Sequence, residues 1–362
     1  MFTSRNTAAV VGLDIEAGSV AAAQVVSNGS SRLQSSAIAA LEPGIAREGE
    51  VIDPTTLGAT LKQLFAQHKL SRNVRVGVAN QRVIVRTMQL PKLKNDEEID
   101  AAVRFAAPDK IPMPLDEALM DWQVVDPSPE TSELGQMDVV VVAARRETVS
   151  GLAEAISQAG LKMVGIDIAA FGMIRALEGE AAIAPPPGFE DGSAGPAAGP
   201  ARLLCSLGDV TNLAVARDRN CLFTRVSPFG VEGIAQRLAE RRELTLEHAR
   251  QWLLHVGLET PLEQIEGDPR ILTAARETLE EGVAKLAGEI RLSLDYYGGQ
   301  ETAVAVEEIV ACGPGIAIAG LPERLERELG LSLRAVRPQA LGHLDDADAA
   351  RLTVSYGLGM EE

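Results

Sequence analysis

Residues 181–200, AAIAPPPGFEDGSAGPAAGP, hold five prolines and four glycines and almost no large apolar side chain. Such a stretch has nothing to bury and reads as a solvated linker. It divides the chain into two halves, and the halves open alike. Residues 10–26 read VVGLDIEAGSVAAAQVV and residues 202–218 read RLLCSLGDVTNLAVARD; an offset of 192 lays Asp14 on Ser206, Glu16 on Gly208 and Ser19 on Thr211. Each half begins with an apolar strand, a turn of small and hydroxyl residues, and a second strand. Turn signals at Ser27-Asn28-Gly29-Ser30 and Asp218-Arg219-Asn220 then lead to third strands near 33–39 and 221–226. The shared letters are few, so on these residues alone a duplication and a coincidence between two hairpins stand level.

Between the first hairpin and the linker, strands are expected at 75–79 and 83–90. A helix follows from Asn95, which caps it with Glu98 three residues on; Ile99, Ala102, Val103 and Ala106 line one face, and Pro108 is its expected stop. Strands at 118–125 and 137–144 complete what reads as an inserted module. A helix at 147–159, a strand at 163–168 and a helix at 170–177 lead back to the first domain. In the second half Leu279, Val283, Leu286, Ile290, Leu294 and Tyr297 recur every three or four residues, predicting a core-facing helix over 273–297 that Gly298-Gly299 ends. A strand at 308–311 then runs into the turn Cys312-Gly313-Pro314-Gly315, with a helix after 320–322.

The charge balance limits the partners. With 34 Lys and Arg against 51 Asp and Glu, the net charge of −17 repels phosphate backbones and anionic lipid. Aromatics make up only 3% of residues, too few for stacking platforms on single-stranded nucleic acid. Cys205, Cys221 and Cys312 are odd in number and unpaired in spacing, which fits a reduced, intracellular setting. The first apolar segment, 8–26, is broken by Asp14 and Glu16, so no membrane span is expected, and MFTSRNT lacks a signal-peptide pattern. His68, His248, His255 and His343 have no ligand companions at helical spacing, and no nucleophile elbow occurs. The acidic groups Asp345-Asp346 and Asp348 read as a solvated face.

Three loops are candidates for holding a phosphate: 14–19, 206–212 and 313–315. None is a Walker loop, and no G-x-G-x-x-G follows the first strand. Two hairpin turns facing one another would offer backbone amides and the hydroxyls of Ser19 and Thr211 to a polyphosphate, with Asp14 beside a Mg²⁺ ion. The same residues serve equally well as ordinary turns.

Several segments together resemble the type IV pilus assembly protein PilM family of the actin-like ATPase superfamily. They are VGLDIEAGSV at 11–20, VRVGVANQRVIVRTMQLP at 74–91, KIPMPLDEALMDWQVV at 110–125, VVVVAARRETV at 139–149, AGLKMVGIDIAAFGMIRAL at 159–177 and GEIRLSLDYY at 288–297. The resemblance implies an α/β, actin-like fold of two ribonuclease H-like halves with a small SHS2-type inserted subdomain. It divides the chain into subdomain 1A (1–82 and 160–180), subdomain 1C (83–159), the linker (181–200), subdomain 2A (201–232 and 303–362) and subdomain 2B (233–302). It also implies an ATP and Mg²⁺ site. The first phosphate motif falls on Gly12-Leu13-Asp14-Ile15 and runs through Glu16, Ala17 and Gly18 to Ser19-Val20, with Asp14 as the Mg²⁺ residue. The second spans Ser206, Gly208 and Asp209 to Thr211-Asn212. Gly230 follows, the adenosine loop is Gly313-Pro314-Gly315, and Arg250 lies on the helix near 245–253 that meets the ribose. The chain departs from the family at charged positions: Glu16 stands for a Gly, Ala21 for a Lys, Ser206 for an acid, Arg250 for a Glu and Leu253 for a Lys. Weak hydrolysis at most is the expectation.

In function, the resemblance implies a cytoplasmic scaffold of pilus biogenesis, held at the inner membrane by the N-terminal cytoplasmic peptide of a PilN-type protein. The peptide groove is expected between subdomains 1A and 1C, along 74–90, with nucleotide as a conformational switch. An active ATPase or phosphotransferase is the rival reading. An FtsA-like division protein would carry a basic amphipathic tail, and YGLGMEE is not one.

Overall fold

The computed structural model describes residues 9–27, 31–125, 135–181, 199–217, 219–300 and 302–360. Linker residues 182–198 and turn residues 28–30 and 218 fall outside them. Strand β1 (Val10–Glu16) pairs with β2 (Ser19–Ser27) in a register that sets Glu16 opposite Ser19, so Ala17 and Gly18 make a two-residue turn. β3 (Ser31–Ala40) continues the meander, and β4 (Ala46–Arg47) and β5 (Glu50–Val51) form a short ribbon. Helix α1 (Pro54–His68) starts where Asp53 accepts from the N–H groups of Thr55 and Thr56, with Pro54 at the first helical position. β6 (Asn73–Val78) then lies parallel to β1.

Next comes a small layer of β7 (Ile84–Pro91), α2 (Asp96–Lys110), β8 (Ala118–Val125) and β9 (Gln136–Arg145), with β9 central in the order β7-β9-β8. Helix α2 does not stop at Pro108 as the sequence led us to expect. A proline near a helix end removes only its own N–H, and the Ile111 N–H still donates to the Ala107 carbonyl at 2.8 Å. The chain returns through α3 (Arg146–Gln158), β10 (Lys162–Ile168) and α4 (Ala169–Ala181). Leu152, Ala155 and Ile156 of α3 are buried with Leu57 and Leu61 of α1. This helix therefore belongs to the first core, and the inserted layer ends at Arg145 rather than at 159.

The second half contains β11 (Ala201–Leu207), β12 (Thr211–Arg217), β13 (Asn220–Ser227), α5 (Val231–Arg242), α6 (Leu246–Val256) and α7 (Pro269–Gly298). Helix α7 begins earlier than its apolar rhythm indicates, because Asp268 accepts from the Arg270 N–H and Pro269 takes the first position. β14 (Val306–Cys312), α8 (Leu321–Leu329), β15 (Ser332–Ala335) and α9 (Asp346–Gly359) complete it. The sheet orders are β3-β2-β1-β6-β10 and β13-β12-β11-β14-β15, antiparallel through each meander and parallel beyond it. One topology occurs twice, so the hairpin repeat is a duplication.

The halves are joined by two helices that cross. α4 buries Ala170, Met173 and Ile174 with Leu204, Ala214 and Val310 of the second half. α9 covers the Ala21, Ala23 and Val25 face of β2 in the first. Small residues let α9 approach both β1 and α4 closely: a Cβ on Gly12 of β1 would stand 1.9 Å from the Ser355 carbonyl oxygen, and one on Gly357 would stand 1.8 Å from that of Gly172 in α4. The acidic start of α9 is exposed, as read, and it also caps the helix, with Asp345 accepting from the Ala347 and Asp348 N–H groups.

Candidate functional site

The turns of the two leading hairpins meet between the halves. The Ala17 N–H donates to Asp209 Oδ2 at 3.3 Å, and the Asp209 N–H in turn favours the charged form of the Glu16 carboxyl. That carboxyl lies over Gly208, where a Cβ would sit 1.8 Å from Glu16 Oε1. Gly230 must likewise be glycine, since its Cβ would be 2.2 Å from the Gly208 carbonyl oxygen. On the other side of the turn, the Arg250 guanidinium faces Gly18 and is held by Glu232, which its Nε reaches at 2.8 Å, and by Glu247 at 3.2 Å. Arg351 of α9 donates from Nη1 to Ser19 Oγ. Gly313, at φ +83°, and Gly315 pack against Ser206 and Leu207.

Crowded carboxyls in a partly buried cleft hold their protons. Burial pushes Glu16 up to about 8, with Asp14 and Asp209 adding repulsion and Arg351 opposing. Burial likewise raises Asp14 to about 6 against the pull of Arg351. Asp209 rises to about 6 through burial and the neighbouring Glu232, although the N–H groups of Ala17 and Glu48 favour its charged form. The Arg250 guanidinium is held still more firmly protonated by its Glu232 hydrogen bonds.

Of the residues singled out in the sequence, Glu16, Gly18, Asp209, Arg250 and Pro314 line one cavity of 100 Å³. Ala17, Ser19, Gly208, Gly230, Gly313 and Gly315 frame it through the contacts above. Asp14 is not part of that lining, although the charge of Arg351 acts on it. Thr211 turns its hydroxyl to the Phe229 carbonyl oxygen at 2.7 Å. Burial raises the Cys312 thiol to about 12 although the Ser206 hydroxyl opposes the rise, and the buried Asn212 amide oxygen has no partner. All three cysteines are free. Glu232 and Arg351 went unnoticed in the sequence. The signal for Arg351 was its place as the single cation on α9, whose residues beyond it are buried to Gly359.

As arranged, the cavity does not fit ATP with Mg²⁺. Its 100 Å³ falls below the roughly 300 Å³ at which ligand pockets begin. The Glu16 carboxyl occupies part of it, and Asp209, which titrates at about 6, presents a carboxylate at neutral pH; an added negative charge at about 4 Å from it costs about 4 kcal/mol at an effective dielectric of 20. Among the described residues no group of three or more His, Cys, Asp or Glu is placed to hold a metal ion.

A second and larger feature lies between the first sheet and the inserted layer. It is a groove of 960 Å³ walled by β8 and β10, each the outermost strand of its sheet. Val140, Val142 and Ala144 of β9, Phe171 and Ile174 of α4, and the β12–β13 turn at Arg219, Asn220 and Cys221 complete its lining. The segment 74–90, where the groove was expected, contributes Val78 alone. A groove needs unpaired edges, whereas β6 is paired on both sides and β7 lies at the far edge of its layer. Leu119, Val124, Met163, Val164 and Ile166 expose their side chains along the two edges, and at the base Arg175 pairs with Asp167.

Two halves of one topology enclosing a cleft between their leading hairpins, with a small layer inserted in the first, define an actin-like protein. The family model described as type IV pilus assembly protein PilM matches residues 12–355, and the chain belongs to that family. It is similar to the solved PilM-PilN type IV pilus biogenesis complex, with 27% identity, 97% of each chain covered and a TM-score of 0.77. Ethanolamine utilization protein EutJ from Carboxydothermus hydrogenoformans has 13% identity over 96% of this chain and 88% of its own, at TM-score 0.53. MreB5 of Spiroplasma citri bound to ADP has 12% identity over 97% of this chain and 95% of its own, at TM-score 0.52. The last two share the fold alone. Among the described residues no helix is long and apolar enough to cross a membrane.

Proposed function

We propose that this chain is a scaffold of type IV pilus assembly, and that its β8–β10 groove receives the extended N-terminal segment of a PilN-type inner-membrane protein. The observation that carries the reading is the pair of unpaired strand edges facing one another across an apolar groove. Exposed edges with apolar side chains invite pairing unless a partner covers them. An extended peptide satisfies such an edge with main-chain hydrogen bonds and places alternate side chains on the apolar walls. β10 offers seven residues, about 23 Å of strand. The solved relative whose complex includes PilN covers 97% of this chain. Attachment through such a partner would hold the protein at the inner membrane without a span of its own. ADP is part of the MreB5 structure of the same fold, but the narrow, acidic cleft here gives nucleotide no part in the proposed function. Titration calorimetry with a synthetic peptide from the partner's N-terminus tests the reading: saturable heat is expected, and none from folded protein would overturn it.

A further inference from the structure

The cleft, distinct from the groove, carries its own inference. Facing hairpin turns attract anions through backbone N–H groups that the strands leave free. Here the chain's own side chains have taken those donors. The Ala17 N–H is spent on Asp209 Oδ2, and the Asp209 N–H acts on the Glu16 carboxyl. Ser19 is engaged by Arg351 and the Arg250 guanidinium by Glu232. The Glu16 carboxyl also fills the space over Gly208, the one wall of the second turn that has no side chain of its own.

We propose that Glu16 seals the cleft from within, standing where an anionic ligand would otherwise bridge the two turns, so that the halves are latched together without nucleotide. The latch runs in both directions across the interface. In the first half Ala17 donates to Asp209 of the second and Glu16 seats its carboxyl on Gly208, and Arg351 on the second half's last helix holds the first half's turn. A bound phosphate would have to displace the Glu16 carboxyl from its seat over Gly208, and would meet Asp209, which lines the same cavity.

Two measurements on the full chain decide this. In the first, a fluorescent N-methylanthraniloyl ATP is titrated with Mg²⁺ into the wild type and into Glu16→Gly. The wild type should show no saturable signal at micromolar probe, and the variant, with the space over Gly208 vacated, should bind at least about tenfold more tightly. Micromolar binding by the wild type would overturn the proposal. In the second, hydrogen exchange of the nucleotide-free wild type should show the Ala17 and Asp209 amides protected. Glu16→Gln, which keeps the acceptor, should retain protection at 209, and Glu16→Ala should lose it. Fast exchange at both amides in the wild type, or protection that survives Glu16→Ala, would overturn the latch. Neither result bears on peptide binding in the groove, so the two readings fail separately.

Discussion

Arg351 donates to the hydroxyl of Ser19 across 332 positions of sequence and so fastens the final helix to the first turn. The same guanidinium favours the charged form of Asp14 against its burial, and Ala21, where a lysine was expected, packs against the same helix. The cation beside the first turn is thus supplied from the far end of the chain. Arg351→Ala should lower unfolding stability by about 1–3 kcal/mol, the usual cost of leaving buried polar groups unpaired. Denaturant melts check it, and a midpoint unchanged from the wild type would show that the contact carries no stability.

Stability should fall as pH rises. The Glu16 carboxyl titrates at 4.5 in an ordinary setting and at about 8 in the fold. Between those values the folded state keeps a proton that the unfolded state has lost, so unfolding becomes easier by up to about 1.4 kcal/mol per pH unit. Asp14 and Asp209 act in the same sense between 3.8 and about 6. Thermal midpoints measured from pH 5.5 to 8.5 should decline, and Glu16→Gln should flatten the decline above pH 6.

In the groove, Ile166→Asp or Val164→Asp places a charge on an exposed edge residue, at 39% and 44% exposure in the wild type. Peptide affinity should drop at least about tenfold while stability stays within about 0.5 kcal/mol. Loss of folding in parallel with binding would remove the groove from the explanation.

Because the cleft is latched, MgATP added to the peptide titration should change the dissociation constant by less than about twofold, a coupling free energy near zero. A strong shift would restore nucleotide as a switch between cleft and groove.

The crossing of α4 and α9 tolerates no added bulk. Gly357→Val should destabilise by about 3 kcal/mol or more, since even a Cβ there meets the Gly172 carbonyl oxygen at 1.8 Å. Chemical denaturation of the variant decides it.

The parts of this architecture that rest on local rules could be read along the chain. Alternating strands around small-residue turns marked both hairpins, and the apolar rhythm from Leu279 to Tyr297 marked α7. What depends on pairing between distant segments could not. The groove was sought at 74–90 because nothing local says that β6 is central in its sheet and β10 is the edge. α9 was missed because every residue from 352 to 359 is buried, so no polar face sets off an apolar one, and its first turn is acidic. With the helix went Arg351. Glu16 was noticed as a misplaced charge, but its seat on Gly208 exists only once the two halves meet.

The crossing helices also set an order for biogenesis. One face of the first sheet, the Ala21, Ala23 and Val25 side of β2, is covered by residues 346–359, and the linker and the entire second half must be synthesised before that cover exists. Until then the growing chain presents a bare strip of alanine and valine at the ribosome. The first half is the earliest part to be translated and among the last to be finished, which makes it the region where chaperone contact during translation should concentrate.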